Sequence, residues 1–266
     1  MSAYFPKGSL LLVFITLLYS SCEVYDWTQN RIQASSNIVE ESRDLSGYSQ
    51  IKLCCSMEAE IFQSGQYSIE ISGPDNVLPH IETVVQADQL HIGYEDGYNF
   101  NLNGERIRLR IGLPDLSGLQ TSSSSEAKVG DFVGQDLLLK ASSSSEIDFS
   151  SFQGENIQLE VSSSAEISLD CRGSSLHTSA SSSGDIYLRG EAISIRADAS
   201  SSGRIRAADC RVNTATADVS SSGKIELQVE EELTGNARSS GDIYYRGQPE
   251  RISTETSSSG KIRRMN

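Results

Sequence analysis

The chain has 266 residues, 37% of them hydrophobic, which is enough to bury a sizeable core, and a formal net charge of -14. With 22 Lys and Arg against 36 Asp and Glu, it lacks the basic surface that phosphate neutralisation requires, which argues against nucleic-acid binding. Its three histidines, His80, His91 and His177, have no metal-ligand spacing, and its many serines include no G-x-S-x-G nucleophile elbow.

At the N-terminus Lys7 precedes "GSLLLVFITLLYSSC", whose apolar run spans about ten residues. A bilayer crossing needs about twenty, whereas the h-region of an export signal fits this length. The run stops at Tyr19-Ser20-Ser21-Cys22, which resembles a bacterial lipobox, with Tyr19 where Leu is usual. That resemblance implies that residues 1–21 are a signal peptide and that Cys22 becomes the lipidated first residue, anchoring an exported protein at the outer membrane. The alternative is an ordinary cleaved signal with an incidental cysteine. Residues 22–44 show no clean periodicity and read as a tether, with a first strand near Tyr48.

Residues 45–120 are strand-like but irregular. "SQIKLCCSMEAEIFQSGQYSIEIS" alternates in pieces, "QLHIGY" is short and apolar, and "ERIRLRIGLP" alternates strictly from Ile107 to Ile111. They are expected to form early coils that cap the N-terminal end of a stack. "GPDNVLPHIETVV" reads as a turn followed by either a strand or a short helical turn.

Residues 121–266 are regular. Ala127, Ile147, Ile167, Ile186, Ile205, Ile225, Ile243 and Ile262 form an anchor column with spacings of 20, 20, 19, 19, 20, 18 and 19. Four and three residues before every anchor stand serines, as at Ser123-Ser124 and Ser201-Ser202. Two before it the residue is small: Ser125, Ser145 and Ala165 in the first three repeats, then Gly184, Gly203, Gly223, Gly241 and Gly260. Six before it come residues such as Ala141, Val161 and Ala199, and ten before it mostly aliphatics such as Leu137 and Ile157, with polar residues between. That alternation marks strands with one buried face. The ten residues from aliphatic to anchor never change in number, so every insertion or deletion falls after the anchor strand.

A unit of about twenty residues cannot bury its own apolar face and must stack on its neighbours. Ser-Ser-Ser-Gly is hostile to helix, and propeller blades need about forty residues. A parallel β-solenoid of 19–20 residues per coil remains, with residues 45–266 as one domain. The serines would then be a corner where coils approach closely, their hydroxyls bonded to one another or to turn backbone, with glycine supplying dihedral freedom beside the bend.

The units "SSSG[DRK]I", together with "SGDIYYRGQPE" and the upstream "ISGPDNVLPHIETVV", resemble the head GIN domain family of bacterial auto-transporter adhesins, a domain of unknown function. The resemblance covers roughly residues 45–262 and implies a right-handed β-solenoid, frequent export and no established catalytic residues. Ser125, Ser145 and Ala165 depart from the family's usual glycine.

The remaining cysteines are Cys54, Cys55, Cys171 and Cys210. The first two are adjacent and would face opposite sides of a strand. The other two are two coils apart, about 9.6 Å, beyond the roughly 7 Å Cα limit for a disulfide. All four are expected to be small buried residues without bridges.

The column just before the anchor runs Glu126, Glu146, Glu166, Asp185, Arg204, Lys224, Asp242, Lys261. Its four leading acids, stacked at about 4.8 Å, either splay into water or share a cation such as Ca²⁺, making them the candidate metal site. No cofactor and no catalytic residue is implied. Two functions follow: a non-enzymatic, lipid-anchored solenoid presenting a rigid surface to a glycan or protein ligand at the cell envelope, or a carbohydrate-active β-helix enzyme. A cleft lined by paired carboxylates would favour the second.

Overall fold

The computed structural model describes residues 30–265, so the expected signal peptide and Cys22 lie outside the described residues. The described residues are 65% strand and 1% helix, wound into a β-solenoid of about 7 turns. The anchor column is one continuous parallel ladder, with Ala127 opposite Ile147, then Ile167, Ile186, Ile205, Ile225, Ile243 and Ile262. Every anchor through Ile243 is buried, each isoleucine contributing roughly 1.5–3 kcal/mol. Phe132, Phe149 and Phe152 fill the wide side of the early coils edge to face.

Each coil makes one sharp corner, at the serines, and otherwise wraps in extended conformation. From Glu166 to Ala237 the wrap is unbroken within each coil, in the strands Glu166–Ala180, Asp185–Ala199, Arg204–Val219 and Lys224–Ala237. Register shifts between neighbouring coils lie at Phe149/Phe152, Tyr187/Arg189, Ala207/Arg211 and Val212/Thr214, all after the anchor. Bulges there absorb the change in coil length from 18 to 20 residues while the corner stays in step.

The corner overturns the expectation about glycine. In all eight repeats the two serines hold positive φ, for example 48° at Ser201 and 65° at Ser202. A backbone bond closes the turn from the first residue to the fourth, as in a type I′ turn. Corner glycines such as Gly203 are not among the positive-φ residues. They are needed for clearance: a Cβ on Gly203 would sit 2.3 Å from the Ala180 carbonyl oxygen, and one on Gly260 2.2 Å from that of Ala237. The serines carry the strain, roughly 1–2 kcal/mol per left-handed residue. Main-chain bonds between coils offset it: Ser202 N–H donates to the Ser221 carbonyl at 3.1 Å, and Ser222 N–H to Ser239 at 3.2 Å. The corner ladder is therefore made by backbone, while Ser201, Ser202, Ser221 and Ser222 all face solvent.

The N-terminal part departs from simple winding. Gln50–Leu53 lies between Gly118–Thr121 on one side and Gln89–Tyr94 on the other. Glu58–Gln63 likewise lies between Glu126–Val133 and Arg108–Leu113. The coil formed by Gln89–Tyr94 and Arg108–Leu113 is thus spatially outside the one that precedes it in sequence. Three antiparallel strands extend this end: Ser68–Pro74 on Arg108–Leu113, Ile38–Ser42 on Ser68–Pro74, and Ile81–Gln86 on Gln89–Tyr94. They pair edges that a bare first coil would leave open. Residues expected as tether are therefore partly built in: Ile38–Ser42 belongs to this sheet, and Arg31–Gln33 pairs with Asn99–Asn101. Both halves of the open choice at residues 73–85 occur, a 3-10 turn at Leu78–His80 and then the strand Ile81–Gln86.

One cysteine expectation changes and the other holds. Cys54 and Cys55 form a vicinal disulfide instead of facing opposite sides of a strand. Cys55 and Ser56 hold φ of 71° and 59°, so this pair sits in a ninth corner equivalent to the serine turns. Cys171 and Cys210 are free and buried, in one row with Gly190 between them. Because Gly190 has no side chain, the two sulfurs meet at 4.0 Å across it. That contact and burial push the Cys171 thiol above its ordinary range.

Candidate functional site

The face following the serine corner carries two outward columns of charge. Around each anchor, the preceding and following residues point to solvent while the anchor points in. The first column runs Arg108, Glu58, Glu126, Glu146, Glu166, Asp185, Arg204, Lys224, Asp242, Lys261, each the Cα partner of the next. The second runs Arg110, Glu60, Lys128, Asp148, Ser168, Tyr187, Arg206, Glu226, Tyr244, Arg263. The candidate acids Glu126, Glu146, Glu166 and Asp185 are thus stacked as the spacing predicts, with Glu58 extending the row.

Along these columns the sign changes. Asp185, largely buried, accepts from Arg204 through two bonds of 2.7 and 2.6 Å and from Arg206 at 2.6 Å. Arg206 also lies over the Tyr187 ring, 4.6 Å from its centroid, and Lys224, paired with Glu226 at 2.5 Å, lies over Tyr244 at 4.9 Å. On the N-terminal side of that clamp, Glu146, Asp148 and Glu166 form no ion pair among the described residues. Partial burial, then Glu146 and Asp185, push the Glu166 carboxyl above its ordinary range. No group of three or more His, Cys, Asp or Glu side chains converges to hold a metal ion among the described residues. The three histidines lie apart from this face: His80 pairs with Glu95 at 2.8 Å, His177 stands 3.9 Å from Asp198, and His91 is opposite Lys52.

At its N-terminal end the charged face curves where the antiparallel strands join, leaving a cradle of about 440 Å³ lined by Glu58, Glu60, Glu70, Glu126, Arg108 and Arg110, among others. Glu58 is held by Arg106 and by Arg108 at 3.1 Å, Arg110 lies 3.9 Å from both Glu60 and Glu70, and Lys128 is 3.3 Å from Glu126. A glycosidase pairs a sheltered, protonatable carboxyl with a second carboxylate. These carboxylates are solvated and ion-paired instead. The opposite flank of the corner holds a shallow trough of about 640 Å³, floored by Gln120, Lys140, Glu160 and Ser179 and edged by serines such as Ser142 and Ser162.

The cradle and the ninth corner escaped the sequence reading. The signal for the corner was present: "LCCSMEAEI" matches "TSSSSEAKV" position for position, with Leu53 opposite Thr121 and Ala59 opposite Ala127. The cradle needs Arg108 and Arg110 beside Glu58 and Glu60, a neighbourhood that non-sequential winding creates.

A rod of parallel coils with a serine corner and outward ladders of charge defines the class, a parallel β-solenoid. The chain belongs to the family described as "Putative auto-transporter adhesin, head GIN domain", which it matches over residues 47–249. Among solved structures it is similar to a "Putative lipid binding protein" from Parabacteroides distasonis, with TM-score 0.84, 23% identity, and coverage of 89% of this chain and 100% of that one. It is also similar to a "putative adhesin" from Parabacteroides merdae, with TM-score 0.81, 19% identity, and coverage of 89% and 100%. A third, a "putative adhesin" from Bacteroides fragilis, has TM-score 0.67, 20% identity, and coverage of 88% and 100%. No curated protein sequence matches the chain.

Proposed function

We propose that this protein is a non-enzymatic, exported β-solenoid, lipid-anchored through Cys22, whose rod presents a rigid polar surface for adhesion or ligand binding at the bacterial cell envelope. The observation that carries this reading is the double column of solvated charges, held at one residue per coil over a rigid buried core. A surface of that kind is built for recognition over a length. The paired carboxylates of the cradle speak for a carbohydrate-active enzyme, but their ion pairs leave no sheltered acid, and presentation fits better. The family and the adhesin descriptions of the similar structures point the same way.

Anchoring is tested by Cys22→Ser. The native chain is expected in the detergent phase with lipid on its N-terminus, and the variant in the aqueous exported fraction. Identical partitioning of the two would overturn the anchor. Presentation is tested by incubating the full chain with oligosaccharide panels: retention without product formation is expected, and turnover would replace this reading with the enzymatic one.

A further inference from the structure

The double-column face is polarised along the rod. N-terminal to the Asp185 clamp, Glu58, Glu60, Glu126, Glu146, Asp148 and Glu166 outnumber Arg108, Arg110 and Lys128; C-terminal to it, Lys224, Lys261 and Arg263 outnumber Glu226 and Asp242. Glu146, Asp148 and Glu166 on one half, and Lys261 and Arg263 on the other, form no ion pair among the described residues. From the sign reversal of these stacked rows, we infer that this face pairs with the same face of a second copy of this chain, the two rods running antiparallel.

The antiparallel sense is the more complementary. Two rods facing each other in the same direction would set Glu146 against Asp148, Arg204 against Arg206 and Lys261 against Arg263, so the unpaired acids and bases would not meet. Turning one copy end for end about an axis along the strands keeps each column facing itself and inverts its order, an isologous contact. With that axis on the coil of Arg204, Glu146 meets Lys261 and Asp148 meets Arg263, each twice by symmetry. Glu166 against Asp242 is like-signed and lowers the gain, while Arg204 and Arg206, which meet their own copies on the axis, are partly neutralised by Asp185. Arg206 and Lys224, already resting on Tyr187 and Tyr244, are held in place before the partner arrives.

The eight coils from Glu126 to Lys261 span about 34 Å at about 4.8 Å per step, and two columns of side chains make a narrow strip. Such a contact falls in the small, transient class of interface, below about 1,200 Å² in total, and depends on salt. Weak contacts of this kind become effective when many copies engage together. The cellular sense of the pairing rests on the anchoring proposed above: rods tethered by their N-terminal ends to two facing membranes approach antiparallel, so the occupant would be a copy on a neighbouring cell. The pairing itself needs no anchor.

The test uses the full exported chain carrying Cys22→Ser, which removes lipid-driven association. Sedimentation at low ionic strength is expected to show a concentration-dependent dimer, weakened on the order of tenfold in 0.5 M salt. One variant combines Glu146→Lys and Asp148→Lys; the other combines Lys261→Glu and Arg263→Glu. Each alone is expected to be monomeric while retaining the native melt, and an equimolar mixture to recover the dimer. That recovery separates lost charge complementarity from misfolding. A wild-type chain that stays monomeric at low salt, or variants that dimerise alone as the wild type does, would overturn the pairing. Soluble dimers without aggregation of cells bearing the lipidated protein would instead remove only its cellular sense.

Discussion

The first three serine coils and the last five solve the same corner in different ways. In the later coils a glycine lets the preceding coil's backbone approach, and the closing turn bond is 2.8–3.0 Å, as from Gly203 to Ser200 and from Gly260 to Ser257. In the earlier coils Ser125, Ser145 and Ala165 keep a Cβ there, and the same bond is 3.2–3.3 Å. The two serines use their hydroxyls inside: Ser125 donates to the Ser122 carbonyl at 2.8 Å, and Ser145 meets the Thr121 hydroxyl at 2.9 Å. Both are buried, so the polar atom has to be satisfied there. Common to both regions is the pair of left-handed serines and the backbone ladder between coils. The corner is thus defined by its dihedral angles and inter-coil bonds, and the fourth position adjusts to the space each pair of coils leaves.

The largest expected effect removes what both regions share. Ile205→Asp puts a charge with no partner into the interior row, and circular dichroism should show no cooperative melt. The same substitution at Ile147 should behave alike, since both anchors are 0% exposed; a folded variant at either site would mean the interior rows are misplaced.

Gly203→Ala and Ala165→Gly sharpen the comparison between the two kinds of corner. The first drives a methyl into the Ala180 carbonyl and should cost about 1–3 kcal/mol, the scale of overpacking. The second loses one buried methyl and adds backbone freedom, costing on the order of 1 kcal/mol. Equal losses in a denaturant titration would remove the clearance argument.

Next in size is the conformation of the serines themselves. Ser202→Val should cost about 1–2 kcal/mol, because a β-branched residue resists positive φ. Ser202→Asn should be nearly neutral, because asparagine tolerates the left-handed region. Since the side chain is exposed, a packing role for the hydroxyl would instead make Asn the more harmful of the two.

The smallest effect is electrostatic. The folded chain binds the Glu166 proton more tightly than the unfolded chain does, so this group favours folding when protonated. Its contribution is lost as pH rises from the ordinary glutamate value through the raised folded one. Glu166→Gln should therefore flatten the fall in stability over that interval and gain about 0.2–1 kcal/mol at neutral pH, the scale of one cross-strand charge pair. Thermal melts on either side of that interval should diverge for the native chain and converge for the variant.

Much of this architecture was legible in the amino-acid order. Each residue's main neighbours in a solenoid are the residues one coil before and after it, so identical contacts recur and print a period of 18–20. The period fixed which side chains face in, where the corner falls, where length can vary and which charges stack. What it left open depends on pairing that is not one coil apart or on the exact path of the backbone. The placement of Gln89–Tyr94 outside Gln50–Leu53, and the antiparallel strands beside it, answer to which edges are open at the end of the stack, a property of the assembled sheet. The 4.0 Å meeting of Cys171 and Cys210 exists because Gly190 between them carries no side chain, so two residues spaced too far for a bridge still touch. Ser-Ser-Ser-Gly announced a bend. Only the folded backbone decided that the serines would hold the left-handed turn and that the glycine would serve as clearance, because a clash between coils is a distance in space and has no counterpart along the chain.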